Sequence, residues 1–188
     1  MYVKRAFDLT VSLLLLIILL IPGLVIAIII KISSKGPIFY LSDRVGLMNF
    51  IFKMYKFRTM KIDTPAVATH LLSNPQFYMI PIGDFLRKTS LDELPQLINI
   101  LKGDMSFVGP RPALFNQHDL IKLRTEKGIH MLVPGLTGWA QINGRDELPI
   151  PVKVEFDEYY KDHQGFCFDL NILFRTLLKV LKKEGVSH

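Results

Sequence analysis

The chain has one cysteine, Cys167, in 188 residues, so no intrachain disulfide can form. With no partner thiol and no motif around it, Cys167 reads as a small buried apolar residue, compatible with a reducing cytoplasmic setting. The five histidines, His70, His118, His130, His163 and His188, are scattered without metal-ligand spacing and receive no role. There is no Walker-type glycine loop and no G-x-G-x-x-G, so the common phosphate cradles are excluded. Internal repeats and low-complexity stretches are lacking too. Acidic residues are outnumbered, 17 against 23 Lys and Arg, giving a net charge of +6. No nucleic-acid motif accompanies that charge, so no nucleic-acid partner is expected. Anionic lipid headgroups or a phosphorylated substrate suit it better.

One feature is abundant: residues 11–30 read VSLLLLIILLIPGLVIAIII, about the ~20 apolar residues of a membrane span. Pro22-Gly23 interrupts the run midway. Proline removes a backbone donor and clashes with the preceding turn, so the helix must kink or break. Each arm is then roughly 10 residues, about half of a hydrocarbon core. Lys4 and Arg5 precede the run, and Lys31 and Lys35 follow it. Positive charge at both ends favours the cytoplasmic side for both. A segment that enters, bends at Pro22 and returns satisfies this; a kinked single-pass helix is the alternative, since spanning helices tolerate proline. The run is too long for a signal-peptide core and no cleavage site follows it. The chain divides by composition into residues 1–35, the membrane segment, and residues 36–188, long enough for a core of their own.

Residues 37–46 and 50–60 are rich in aromatic and β-branched residues around a short Asn/Gly-containing turn, which predicts a β-hairpin. Residues 61–80, with Pro65 and Pro75, read as an irregular loop. Helices are expected over 82–88, from Ser90 to about 102 before Gly103, over 113–127 and over 151–162, with loops at 108–112 and 134–146. In the last segment Leu170, Leu173, Phe174, Leu177, Leu178 and Leu181 form one continuous helical stripe, with Lys179, Lys182 and Lys183 at its end. It suits either core packing or a helix lying among lipid headgroups.

The densest polar cluster is LRKTSLDELPQ, residues 86–96. Ser90 and Glu93 fit a capping box, which would explain the carboxylates without chemistry. Yet Asp92 and Glu93 are adjacent at a helix start that attracts anions, Arg87 and Lys88 add positive charge, and Pro95 stiffens the turn. Such carboxylates could bind a divalent cation or attack phosphorus. Further donors for phosphoryl transfer are Lys56 and Arg58 in YKFRTM, Arg111 in GPRP and Arg145 in INGRD. Each alone also reads as a solvated charge, although Pro110 and Pro112 fix the backbone around Arg111.

These stretches together resemble the small monotopic phosphoglycosyl transferase family, bacterial sugar-phosphate transferases that use a polyprenyl-phosphate carrier. The match runs through KRAFD (4–8), GPIFYLSDRVG (36–46), YKFRTM (55–60), LRKTSLDELPQLINILKGDMSFVGPRP (86–112), VPGLTGWAQINGRD (133–146) and EFDEYY (155–160). The resemblance implies transfer of a sugar-1-phosphate from a UDP-sugar to undecaprenyl phosphate, with UMP released and a covalent phosphosugar on Asp92. It implies Mg2+ held by Glu93 and Asp92, and catalytic roles for Lys56, Arg87 and Arg145. Pro110, Arg111 and Pro112 match the nucleotide loop, and Arg58 and Asp157 are expected among the substrate-binding residues. It favours the re-entrant helix, at the cytoplasmic face of a bacterial inner membrane, and the minimal catalytic form. Two departures are Ile21-Pro22 where the family often has Ser-Pro, and Pro149-Ile150 where some members have Ser-Trp.

The fold expected is α+β: a re-entrant membrane helix-break-helix, then a small, mostly helical catalytic domain with a β-hairpin and amphipathic interfacial helices. Two other classes compete. A membrane-anchored lipid- or nucleotide-binding protein would not need the carboxylate pair. A metal-dependent phosphohydrolase would not need the membrane segment.

Overall fold

The computed structural model describes residues 2–65, 74–144 and 148–181. The apolar run forms two helices, α1 (Tyr2–Ile18) and α2 (Leu20–Ser33), bent by 61° at Leu19. The break falls three residues before Pro22, for a steric reason. The ring of Pro22 opposes the carbonyl of Ile18 and offers it no N–H, so the first helix stops there. On either side the ladder persists: Leu19 N–H donates to Leu15 O and Gly23 N–H to Leu19 O, both at 2.8 Å. The arms are longer than the apolar run implies, because α1 starts nine residues upstream of it. No single helix among the described residues is long and apolar enough to cross a membrane; the bent pair is, taken together.

The extra turns of α1 dock on the rest of the chain. Arg5 donates to Ile100 O and Leu101 O, at 2.6 and 2.8 Å. Lys4 reaches Asp169 at 2.5 Å and Val108 O at 2.8 Å, and Asp8 accepts from Phe107 N–H at 3.1 Å. Above them Phe7, Val11, Leu15 and Leu16 pack against the main core around Ile100, Met105 and Phe107. On α2, Ile26 and Ile30 bury against Phe57, Ile80 and Leu86. The outer faces stay bare: Leu13, Ile17, Ile21 and Leu24 are all more than half exposed.

The expected hairpin is present. Strands β1 (Phe39–Val45) and β2 (Ile51–Phe57) pair antiparallel, Phe39 opposite Phe57 and Val45 opposite Ile51. Of residues 61–80, positions 66–73 lie outside the described residues. The ends that are described are tied together: Lys61 N–H donates to Tyr78 O of the short helix α3 (Pro75–Tyr78). Then come α4 (Gly83–Lys88), a 3-10 turn over Leu91–Glu93 and α5 (Gln96–Lys102), closed by Gly103 at φ +92°. The helix expected from Ser90 is thus divided into a tight turn and a later α-helix. Ser90 itself is left-handed (φ +56°), and its side chain caps nothing.

A second, parallel sheet was not foreseen: β3 (Ser106–Val108) and β4 (Gly135–Thr137). Glycines make it possible. A Cβ on Gly135 would lie 2.1 Å from Gly109 N, and one on Gly138 2.1 Å from Gly109 O. Helix α6 (His118–Glu126) begins five residues later than expected, because Ala113 and Leu114 pair with Val45 and Arg44 and the chain then turns, Gln117 N–H donating to Leu114 O. Helices α7 (Trp139–Asn143), α8 (Ile150–Asp162) and α9 (Phe166–Leu181) complete the chain.

Helix α9 docks on the face expected to be polar. Asp169 and Ile172 are buried and Thr176 bonds Thr137, whereas Leu170, Phe174, Leu177 and Leu178 are exposed. Of the expected stripe, Leu173 packs on the core. Cys167 is exposed rather than buried, since it lies off the Asp169–Ile172 face.

Gly135→Ala should part the β3–β4 pair. The expected result is a melting temperature at least about 4 °C lower, or no folded protein. Gly23→Ala, with nothing within 4 Å of the added Cβ, should be neutral or slightly stabilising in the same detergent.

Candidate active site

Three separate parts of the chain meet around the Asp92-Glu93 pair. Lys56 comes from β2, Arg87 from α4, and Arg111 from the loop after β3. Glu93 is the hub: its Oε1 accepts from Lys56 Nζ at 2.7 Å and from Arg111 Nη2 at 2.9 Å. Lys56 Nζ also stands 3.7 Å from Asp92 Oδ2, an ion pair without hydrogen-bond contact. Arg87 Nε donates to Thr59 Oγ1 at 2.9 Å, and its charge also acts on Asp92. The capping box therefore does not form: Glu93 turns to the two cations instead of back to Ser90.

The two carboxyl groups are driven apart. Burial raises the pKa of Asp92, Lys56 opposes this, and the charge of Glu93 raises it again. For Glu93, burial acts upward but is overcome by Arg111 and Lys56, which together hold the group well below the usual carboxylate range. Glu93 is thus the fixed negative charge, and Asp92 the one whose proton is more easily exchanged. Carboxyl groups pushed in opposite directions beside specific charge partners make a candidate site for acid–base or nucleophilic chemistry.

The backbone around Arg111 is held at almost every carbonyl. Val108 O accepts from Lys4 Nζ, Pro110 O from Gly135 N–H, and Arg111 O from Arg124 Nη1. Pro112 O accepts from Arg44 and Ala113 O from Val45 N–H. Two flanking prolines therefore have company in fixing this guanidinium. Strand β2 is pinned similarly. Asn99, fully buried on α5, donates to Lys53 O at 2.8 Å and accepts at 2.9 Å from the N–H of Tyr55, one residue before Lys56.

Other expected site residues fall elsewhere. Arg58 is buried and donates to Ser34 O and Lys35 O, capping the end of α2. Asp157 is buried under the site rather than in it. It takes two bonds from Arg124, at 2.6 and 3.0 Å, and Arg124 donates in turn to Arg111 O. Burial raises the pKa of Asp157 and Arg124 opposes the rise. Arg145 lies outside the described residues. Arg124 itself was missed: from sequence it is one charge on an amphipathic helix, and nothing nearby in the chain marks its partner. Pro110 and Pro112 flank Arg111 as expected.

Among the described residues no group of three or more His, Cys, Asp and Glu side chains could hold a metal. Mg2+ commonly takes one or two protein carboxylates together with water and substrate phosphates, and the carboxylates at this site are Asp92 and Glu93. Asp92 and Glu93 are the residues that would hold it.

With this geometry in place, the relatives are informative. The family model described as bacterial sugar transferase matches residues 1–183. An uncharacterized sugar transferase of Bacillus subtilis, EpsL, is 42% identical over the whole of this chain and 91% of its own length. ExoY of Sinorhizobium fredii, an exopolysaccharide production protein, is 37% identical over 97% of this chain and 87% of its own. The UDP-glucose:undecaprenyl-phosphate glucose-1-phosphate transferase of Escherichia coli is 39% identical over 94% of this chain, which spans 39% of that enzyme. Matched along nearly all its length, the chain belongs to the bacterial sugar transferase family, and is an enzyme of that kind.

Proposed function

We propose that the chain transfers a sugar-1-phosphate from a UDP-sugar to undecaprenyl phosphate, through a phosphosugar carried on Asp92. The observation that carries this reading is the unequal carboxylate pair: Glu93 accepts hydrogen bonds from Lys56 and Arg111 at 2.7 and 2.9 Å, while Lys56 stands 3.7 Å from Asp92, one residue away. An Asp92 oxygen forms the bond to the sugar-bearing phosphorus. The bond from that phosphorus to the UMP oxygen breaks, and UMP leaves with the electron pair. An oxygen of the lipid phosphate then attacks the same phosphorus and frees the Asp92 carboxylate. Arg111 and Lys56 stand where the diphosphate's charge accumulates, and a guanidinium can pair with phosphate in two-pronged fashion. Mg2+ bound by Asp92 and Glu93 would neutralise phosphate charge during transfer. Relatives named as undecaprenyl-phosphate sugar phosphotransferases support the donor and acceptor classes.

A lipid acceptor calls for a membrane at the site, and the reading places the enzyme at the cytoplasmic face of a bacterial inner membrane. The bare apolar faces of α1, α2 and α9 suit membrane lipids. Both ends of the helix pair are tied to one body: α1 by Lys4 and Arg5, α2 by Arg58 at Ser34 and Lys35. Two ends held on the same body support entry and exit on the same face. That is a stronger argument than the flanking charge, since Lys4 and Arg5 are engaged in these contacts.

Asp92→Asn should lower turnover by at least about 1000-fold and leave the melting curve in place. Wild type incubated with UDP-sugar alone should gain one phosphosugar on the peptide containing Asp92. Retained transferase activity in the variant rejects Asp92 as nucleophile. UMP release from a panel of UDP-sugars, with and without undecaprenyl phosphate, tests the reaction itself.

Arg111→Ala should weaken donor use, with KM for the UDP-sugar rising roughly 10-fold or more. An unchanged KM with a collapsed kcat assigns Arg111 to the transition state instead of to binding.

For topology, Tyr2→Cys in a Cys167→Ser background should resist an impermeant maleimide in intact cells and react after permeabilisation. Labelling of intact cells rejects the re-entrant arrangement.

A further inference from the structure

Gln96 is 1% exposed, and among the described residues neither its amide oxygen nor its amide nitrogen has a hydrogen-bond partner. Two unmet polar atoms on one buried side chain carry a penalty that a fold usually avoids. The contrast with Asn99 is direct. It is equally buried, three residues further along the same helix face, and its amide is used in full by Tyr55, Lys53 and Asp104. The interior here therefore supplies partners for one amide and withholds them from the other.

The position of Gln96 says what it waits for. Leu94 and Pro95 are right-handed helical, so the backbone turns continuously from the Leu91–Glu93 turn into α5. The bonds along it run three residues back, from Glu93 N–H to Ser90 O, Leu94 to Leu91, Leu97 to Leu94 and Ile98 to Pro95, a tight winding before α5 proper. Both the turn and α5 pack on β2. Gln96 precedes Asn99 by three residues on α5, and Asn99 bonds Tyr55 N–H and Lys53 O of β2. The next residue of β2, Lys56, stands 3.7 Å from Asp92, which is itself only 8% exposed. Gln96 is thus buried on the element that joins Asn99 to the Asp92 turn along β2.

We infer that Gln96 is a phosphoryl-binding residue: its amide N–H donates to a non-bridging oxygen of the phosphoryl group that Asp92 receives. The inference rests on the transferase reading above. A carboxylate attacking a phosphate diester meets negative charge with negative charge. A neutral donor beside the nucleophile holds the phosphoryl oxygens in place without forming an ion pair with Asp92, as a lysine there would. The site is therefore incomplete until the phosphoryl group enters it.

The test is Gln96→Met, which keeps the side-chain length and removes both polar atoms. Single-turnover UMP release and phosphosugar loading of the Asp92 peptide are measured beside wild type, with thermal melting in the same detergent. The expected result is a rate of UMP release roughly 10- to 100-fold lower, KM for the UDP-sugar within about 3-fold, and a melting temperature equal to or above wild type. Gln96→Glu, which loses the donor and adds a charge next to Asp92, should be at least as slow. A wild-type rate in Gln96→Met overturns the inference and leaves the transferase reading standing. So does a loss of rate that comes with a lowered melting temperature, because the amide would then be structural. Wild type that releases no UMP from any UDP-sugar overturns the transferase reading, and this inference with it.

Discussion

Glu93 Oε1 is the point on which the site depends, because it is where three otherwise independent parts of the chain are held to one another. Lys56 arrives on a strand, Arg111 on a clamped loop, and Glu93 on a 3-10 turn. The shared oxygen brings the two cations together. Removing this carboxylate would leave two positive groups facing each other in a half-buried space, a costly arrangement. The pair also explains the division of labour beside it: with the cations spent on Glu93, burial prevails at Asp92. In the transferase reading proposed above, the same cations would serve both Glu93 and a charged donor, so donor entry would compete with Glu93 for Arg111.

Behind that oxygen stands an arrangement of close backbones. Gly109, Gly135 and Gly138 let two loops approach within distances a Cβ would forbid, and the loop carrying Arg111 gains its fixed carbonyls from that approach. Arg124 and Asp157 support the loop from below. These residues touch nothing a substrate would touch, yet they determine where the Arg111 guanidinium stands.

The hairpin was legible in the sequence because its alternation and aromatic content are local signals. So was the cluster at 86–96, because the carboxylates and prolines are neighbours in the chain. What was not legible depended on distant partners. S-x-x-E reads as a capping box unless Lys56 and Arg111, 37 and 18 residues away, are known to reach Glu93. Arg58 and Asp157 lie in motifs with the site residues, yet their side chains are used by the fold. The parallel sheet escaped notice since three-residue strands built on glycine carry no periodicity. Helix α9 was correctly read as amphipathic, but periodicity does not tell which face docks; Asp169, bonded to Lys4 and Tyr160, draws the helix in by its polar side.

That last network has a practical consequence for anyone wishing to simplify the protein. The apolar N-terminal helices invite removal, as a detachable tether would. Cutting them away would take Lys4, Arg5 and Asp8 too. Asp169 and Tyr160 would lose their cation in the interior, the end of α5 would lose its cap, and Val108 O would lose a donor three residues before Arg111. The first helix is a structural beam shared between the bare apolar face and the loop that carries Arg111, so a shortened chain would be expected to lose its shape along with that face.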